Sequence, residues 1–359
     1  MSSTSIPSRL PTVNPASLFE HYRGQYATAL LVAAVAEFDL FGILAPGPLN
    51  FIQLQDRTGL AERPLHVLLT AVRAMGSVNR WPDGRYELTA LAAEHLVAGG
   101  EFFVGDYFSL AAESPEVREM IQRLRTNRPK GADDAGAGFI FRAGLKSAME
   151  ESVAARHFTL ALAGRAKNVA PILAANLPLP GVRRLVDVGG GTGIYSIALL
   201  RANPELRAVV WDRPEVLRIA GEFAAQSGVA DRLELIPGDF FTDPFPAGAD
   251  AVLFSNILHD WAVPECQRLL QRASAALPPG GRLLVHDVFL DDDLGGPLAA
   301  ALYSANLFAV TEGRLYSVGE VRSWLTAMGL TPTGLCPTLI HAQVLTAVAA
   351  GAALGGGPR

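Results

Sequence analysis

The run Arg184–Gly193 (RLVDVGGGTG) restricts the fold of this chain more than any other feature. A short apolar strand ends in Gly189, Gly190, Gly191 and Gly193, and Ile194–Ala202 continues as a helix. Glycines suit that place because the turn is tight and a ligand can lie on bare backbone. A purely structural Gly-rich turn is the other reading. Further strands are expected at Ala208–Trp211, Leu233–Ile236, Ala251–Ser255 and Arg282–Val288. Helices fit between and after them at Pro214–Ser227, Pro264–Leu277 and Val318–Met328. Short apolar strands alternating with helices imply a parallel sheet covered on both faces. A last pair, around Thr331–Leu335 and Ala342–Thr346, can close that sheet as a hairpin.

The glycine spacing narrows the ligand. A dinucleotide fingerprint needs a small residue at its sixth position, which counted from Gly189 is Ile194. No Gly-Lys-Ser/Thr follows, so a phosphate-cradling loop is excluded. Asp212 ends the next strand, 19 residues after Gly193, where an acid can accept both hydroxyls of a ribose. Asp239 ends the strand after that, placed to accept from an adenine amino group, with Phe240 stacking on the base. Successive strand ends offering Gly or Asp make a crevice along one sheet edge, where open α/β sheets bind ligands.

The first half has a different texture. Phe19–Leu44 reads as a long helical region, apolar nearly all round and therefore buried. Helices at Phe51–Thr58 and Glu62–Met75, separated at Gly59, lead to ribbons Val78–Trp81 and Tyr86–Leu88. Asp83-Gly84 between the ribbons signals a hairpin, and the whole is a winged-helix pattern. DNA binding is one use of that pattern, but 30 Lys and Arg against 35 Asp and Glu give a net charge of −5. Nucleic-acid binders normally show a basic field, so packing and dimerisation are preferred. Residues 126–138 read as a loop. With 50% apolar and 18% charged residues the chain is too hydrophobic for disorder. Two cysteines, Cys266 and Cys336, exclude a disulfide scaffold or a cysteine-rich zinc site and fit a reducing cytoplasm. No apolar run approaches a membrane span or a signal peptide.

Together, VDVGGGTG, Asp212, the Gly238-Asp239-Phe240-Phe241 element and Leu258-His259-Asp260-Trp261 resemble the class I S-adenosylmethionine-dependent methyltransferases. More narrowly, they resemble the plant and bacterial small-molecule O-methyltransferases. The resemblance implies an α/β fold: a Rossmann-like seven-stranded catalytic domain over 166–350, preceded by a mostly α winged-helix dimerisation domain over 1–165. The latter would contribute to the acceptor pocket, and 351–359 would be a flexible tail. It implies a homodimer with S-adenosyl-L-methionine as cofactor, S-adenosyl-L-homocysteine as its product form and no metal. Cofactor contacts are implied for Asp187, Gly189, Gly190, Gly191, Asp212, Arg213, Gly238, Asp239 and Phe240, and for Ser255, which stands where the family often has a lysine.

His259 matches the family's general base. A lone histidine is more often a core or capping residue, but this one follows a strand end beside the crevice. The family flanks it with two glutamates. Asp287 stands for the first, one methylene shorter, and Leu315 stands at the second. Asp260 is expected to cap the turn or helix after Trp261, and His286, opposite Asp287 by strand alternation, to serve packing. The acceptor pocket is expected from Phe158, Leu162, Asn256, Phe289, Asn306 and Phe308. These are mostly apolar, suiting a flat aromatic or polycyclic acceptor. For Phe158 and Leu162, helix core is an equal reading. The expected reaction is methyl transfer to a hydroxyl. Carbon or nitrogen methylation, and cofactor binding without transfer, are the alternatives.

Overall fold

The computed structural model describes residues 6–7, 9–129 and 152–350, without the side chains of 152–155 and 158. The tail expected at 351–359 and most of the loop expected at 126–138 lie outside the described residues, as does the Phe158 side chain.

The chain begins with a helical series: α1 (Ala16–Arg23), α2 (Ala27–Val32), α3 (Leu40–Leu44), α4 (Phe51–Thr58) and α5 (Glu62–Ala74). The hairpin β1 (Val78–Arg80) and β2 (Tyr86–Leu88) follows, then α6 (Ala90–His95), α7 (Gly105–Ser109) and α8 (Pro115–Thr126). The Phe19–Leu44 region is not one helix. It widens into a π turn at Ala33–Glu37 and breaks at Asp39, whose φ of 44° is left-handed. The signal at α4 is local: Asn50 accepts from the Gln53 amide, and the Gln53 side chain accepts from the Asn50 amide, each at 2.9 Å. Such a capping box contributes about 1 kcal/mol. α5 buries Leu65, Leu68, Leu69 and Val72 at helical spacing, each contributing about 1.5–3 kcal/mol by leaving water. The hairpin pairs Val78 with Leu88 and Arg80 with Tyr86.

The α/β series then runs α9 (Ser152–Asn176), β3 (Arg184–Val188), α10 (Ile194–Ala202), β4 (Arg207–Asp212), α11 (Pro214–Ser227), β5 (Leu233–Pro237), β6 (Ala251–Ser255), α12 (Val263–Ala276) and β7 (Arg282–Val288). After α13 (Leu298–Val310) come α14 (Val318–Ala327) and the antiparallel pair β8 (Leu330–Pro337) and β9 (Ala342–Ala349). The seven strands are ordered β5-β4-β3-β6-β7-β9-β8. β3 to β7 are parallel, and β9 runs antiparallel to both β7 and β8. From β3 the chain winds outward to β4 and β5, then returns to β6 on the other side of β3. The crevice between the ends of β3 and β6 is therefore the topological switch point, where such sheets take ligands.

The two compact units are not cut at residue 165. One consists of 1–16, 146–288 and 318–359, and the other of 17–145 and 289–317. α9 crosses the expected boundary and belongs to the α/β unit, where Ala163, Ala166, Val169, Ala170 and Leu173 are buried. α13 belongs to the helical unit, because its Ala305, Phe308 and Ala309 are part of that unit's core.

Candidate active site

Each parallel strand delivers one polar or glycine residue to the same sheet edge. β3 ends at Gly189, β4 at Asp212, β5 before Asp239, β6 at Ser255, and β7 carries Asp287 one residue from its end. Gly189 has a φ of 64°, and a Cβ there would stand 2.5 Å from the Ile257 Cδ1. A Cβ on Gly190 would stand 2.7 Å from the Asp187 carboxyl carbon. The loop thus lies bare because larger residues do not fit its own supports.

Asp187 is fully buried, and its Oδ2 accepts from the Ser196 hydroxyl at 2.7 Å. Its Oδ1 has no hydrogen-bond partner. Burial pushes this carboxyl up to about 7, against the Ser196 hydrogen bond and with the nearby Asp212 charge adding to the rise. Asp212 accepts from the Gly191 amide at 2.8 Å and the Arg213 amide at 2.7 Å. Burial raises its carboxyl, and those two bonds oppose the rise. Asp239 accepts from the Phe241 amide at 2.8 Å and from the Arg213 guanidinium at 2.9 Å. Arg213 therefore braces one acid while its amide serves the other. Gly238 serves packing: a Cβ there would stand 2.6 Å from the Trp211 indole nitrogen. Phe240 clusters with Phe241 and Trp261 at ring separations of 5.1 and 6.1 Å. A glycine cradle, an orphaned buried acid and two aligned carboxylates beside an aromatic cluster fit an amino-acid-bearing nucleoside.

Past β6, the turn Leu258–Asp260 holds His259 almost fully buried. His259 Nδ1 lies 2.6 Å from Asp287 Oδ1, which also accepts from the Val288 amide at 2.8 Å. A carboxylate only accepts, so Nδ1 carries the ring proton and the lone pair is on Nε2. Asp260 caps no helix. The residue before α12 is Ala262, with no side-chain cap, and Asp260 Oδ1 lies 3.6 Å from His259 Nε2. Burial pushes the Asp260 carboxyl up to about 6, with His259 opposing and Asp287 adding.

The residues expected around an acceptor are placed unequally. Leu162 is 54% exposed on α9. Asn256 is tied into a polar network: its Oδ1 accepts from Arg165, and its Nδ2 donates to Ser255 Oγ at 3.1 Å. Phe289 and Asn306 lie in the helical unit. There the Asn306 amide donates to the Arg23 and Leu302 carbonyls and accepts from Gln25. Phe308 is placed differently from the others. It is fully buried in the helical core, with the Arg63 guanidinium 4.5 Å from its ring centre. Leu315, which stands at the position of the second glutamate, is completely buried. Arg165 was missed by sequence reasoning. The signal available was weak: Arg165 is one of two cations, with Lys167, in the otherwise mostly apolar stretch Leu160–Ala170. Among the described residues no group of three or more His, Cys, Asp or Glu side chains is placed to hold a metal ion. No helix among them is long and apolar enough to cross a membrane.

Comparison with known proteins agrees with this geometry. The model of the O-methyltransferase domain matches residues 130–331. The 3-hydroxy-5-methyl-1-naphthoate 3-O-methyltransferase of Streptomyces sahachiroi is 37% identical over 318 residues, 88% of this chain and 89% of that protein. The L-tyrosine C(3)-methyltransferase of Streptomyces lavendulae is 30% identical, covering 83% and 82%. The crystal structure of an O-methyltransferase family 2 protein from Planctomyces limnophilus DSM 3776, in complex with apigenin, superposes with a TM-score of 0.85 at 44% identity, covering 95% and 97%. The chain belongs to the S-adenosylmethionine-dependent O-methyltransferase family.

Proposed function

We propose that this protein methylates a hydroxyl of an aromatic or polycyclic small molecule in secondary metabolism, with His259 as general base. The observation that carries this reading is the 2.6 Å contact between His259 Nδ1 and Asp287. It aims the unprotonated Nε2 away from the carboxylate and stabilises the imidazolium that forms when Nε2 takes a proton. Relatives of this chain are named for a hydroxynaphthoate acceptor or hold the hydroxylated aromatic apigenin.

S-adenosylmethionine supplies an electrophilic methyl on a sulfonium. Asp212 would hold the ribose hydroxyls, Asp239 and Phe240 the adenine, and the glycine loop with Asp187 the amino-acid end. The Arg165 guanidinium, at the end of β6, suits the carboxylate there. His259 then removes the acceptor proton. A phenol near 10 gives up its proton to an imidazole near 6.5 at a cost of about 5 kcal/mol if transfer is complete in advance. Transfer concerted with attack avoids that step and contributes about 10²–10⁴-fold. In His259→Ala, turnover should fall by that factor while calorimetry with S-adenosylhomocysteine shows unchanged affinity. Unchanged turnover would remove the base.

Methylation at carbon is the second reading. It is favoured by the buried Leu315 in place of a second acid and by the tyrosine C-methyltransferase relative. An O-methyl ether is chemically cleavable and a C-methyl is not, so mass spectrometry of the treated product separates them. We further place the protein in the cytoplasm as a homodimer joined through the helical unit. Exposed Leu18 and Tyr22 on α1 and two free cysteines support this.

A further inference from the structure

His286 and Asp287 are neighbours on β7 and face opposite sides of the sheet. Asp287 meets His259. His286 is fully buried on the other face, with its ring edge-on to Tyr195, 5.1 Å between centroids. Its two nitrogens lie within a continuous row of hydrogen bonds. Arg165 donates to Asn256 Oδ1, and Asn256 Nδ2 donates to Ser255 Oγ at 3.1 Å. Ser255 Oγ is 2.8 Å from His286 Nδ1. His286 Nε2 is 3.1 Å from Thr338 Oγ1, and the Thr338 hydroxyl donates to the Ala342 carbonyl at 2.9 Å.

The direction of the row follows from its far end. The Thr338 proton is committed to Ala342, so Thr338 Oγ1 accepts from His286, and Nε2 carries the ring proton. Nδ1 is then the acceptor, and Ser255 donates to it. Burial pushes this imidazole down to about 3, with the Arg165 charge adding and Asp287 opposing, so the ring is neutral and has one proton to give. In the reverse direction the buried Ser255 proton would have no acceptor among these partners.

We propose that His286 is a positioning residue of the methyl-transfer site: as the neutral Nε2–H tautomer it accepts the Ser255 hydroxyl hydrogen bond at Nδ1, fixing the Asn256 turn that delivers His259 and leaving Ser255 able only to accept from a ligand. The backbone adds a second hold, because the Asn256 amide donates to the His286 carbonyl at 2.9 Å. Asn256 has a left-handed φ of 58° and turns the chain out of β6 three residues before His259. Two successive residues of β7 thus serve one site from opposite faces. Ser255 lies one residue past the Val188–Phe254 pair of β3 and β6, at the level of Gly189. A hydroxyl there that accepts but does not donate suits an N–H group of the cofactor.

The inference rests on the cofactor crevice but not on the role of His259, so it is read from tautomer and affinity. Nitrogen-15 NMR of the ligand-free protein should show His286 protonated at Nε2 only. An Nδ1–H form would overturn the proposal. His286→Phe fills the volume but cannot accept, whereas His286→Asn places an acceptor close to the Nδ1 position. S-adenosylhomocysteine should bind about threefold to tenfold more weakly to His286→Phe, with affinity largely restored in His286→Asn. A residue needed only for packing gives the opposite order, and wild-type affinity in His286→Phe also overturns the proposal. Thr338→Val leaves the imidazole in place and decides the matter if His286→Phe fails to fold. It should keep the tautomer, because Ser255 still needs an acceptor, but shift the Nε2–H proton resonance as that proton loses its own acceptor, and weaken binding; an unshifted resonance or an Nδ1–H form refutes the row.

Discussion

Asp287 Oδ1 accepts two hydrogen bonds at once, from His259 Nδ1 at 2.6 Å and from the Val288 amide at 2.8 Å. The second bond holds the carboxylate against its own strand, so an aspartate reaches the imidazole although the family residue is one methylene longer. Asp287→Ala should therefore lower turnover by about 10²–10⁴-fold, since the ring loses both its tautomer and its orientation. Calorimetry on the same variant should show S-adenosylhomocysteine affinity within about twofold of wild type.

The raised Asp187 carboxyl makes a prediction with a definite sign. Its value in the fold, about 7, lies above the ordinary 3.8. The folded state therefore binds the extra proton, and stability is lost as pH rises from about 4 through 7. Asp187→Asn removes that loss. At pH 8 its melting temperature should exceed that of the wild type, and at pH 4 the two should converge. S-adenosylhomocysteine affinity should fall in the variant, because the buried acid facing the loop is gone.

Gly189→Ala places a methyl 2.5 Å from Ile257 in a backbone conformation with φ of 64°. We expect a loss of about 1–3 kcal/mol, read by urea unfolding, and weaker binding of S-adenosylhomocysteine.

Arg63 binds the helical unit together. Its guanidinium donates to Asn127, to the Thr311 carbonyl at 2.9 Å and to the Gly313 carbonyl at 3.0 Å, over the Phe308 ring. Burial pushes it down to about 10, with Tyr316 and Glu312 opposing. Arg63→Ala should cost about 1.5–3 kcal/mol, because buried carbonyls lose a charged donor, and a lowered melting temperature will show it.

Much of the α/β unit was legible in the chain. β3, α10 and α11 begin and end at the expected residues, because a glycine loop, Pro214 and Gly228 punctuate strong apolar runs. The crevice was expected from Gly189, Asp212 and Asp239 at successive strand ends, whereas the strand order that makes it a switch point was not legible. The missing parts are those set by distant partners. α13 is apolar all round, which foretells burial but not which core receives it. Arg165 meets Asn256 across 91 residues and His286 meets Thr338 across 52. A polar residue in a mostly apolar segment advertises a partner without naming it.

The assignment of residues 289–317 to the helical unit has a practical corollary. A gene truncated after residue 165 would encode a first half lacking Phe308, and with it part of its own hydrophobic filling. The remaining half would carry an orphan helix with no core to enter. Neither piece keeps the helical unit whole, so moving that unit between relatives calls for exchanging two separate stretches of sequence together.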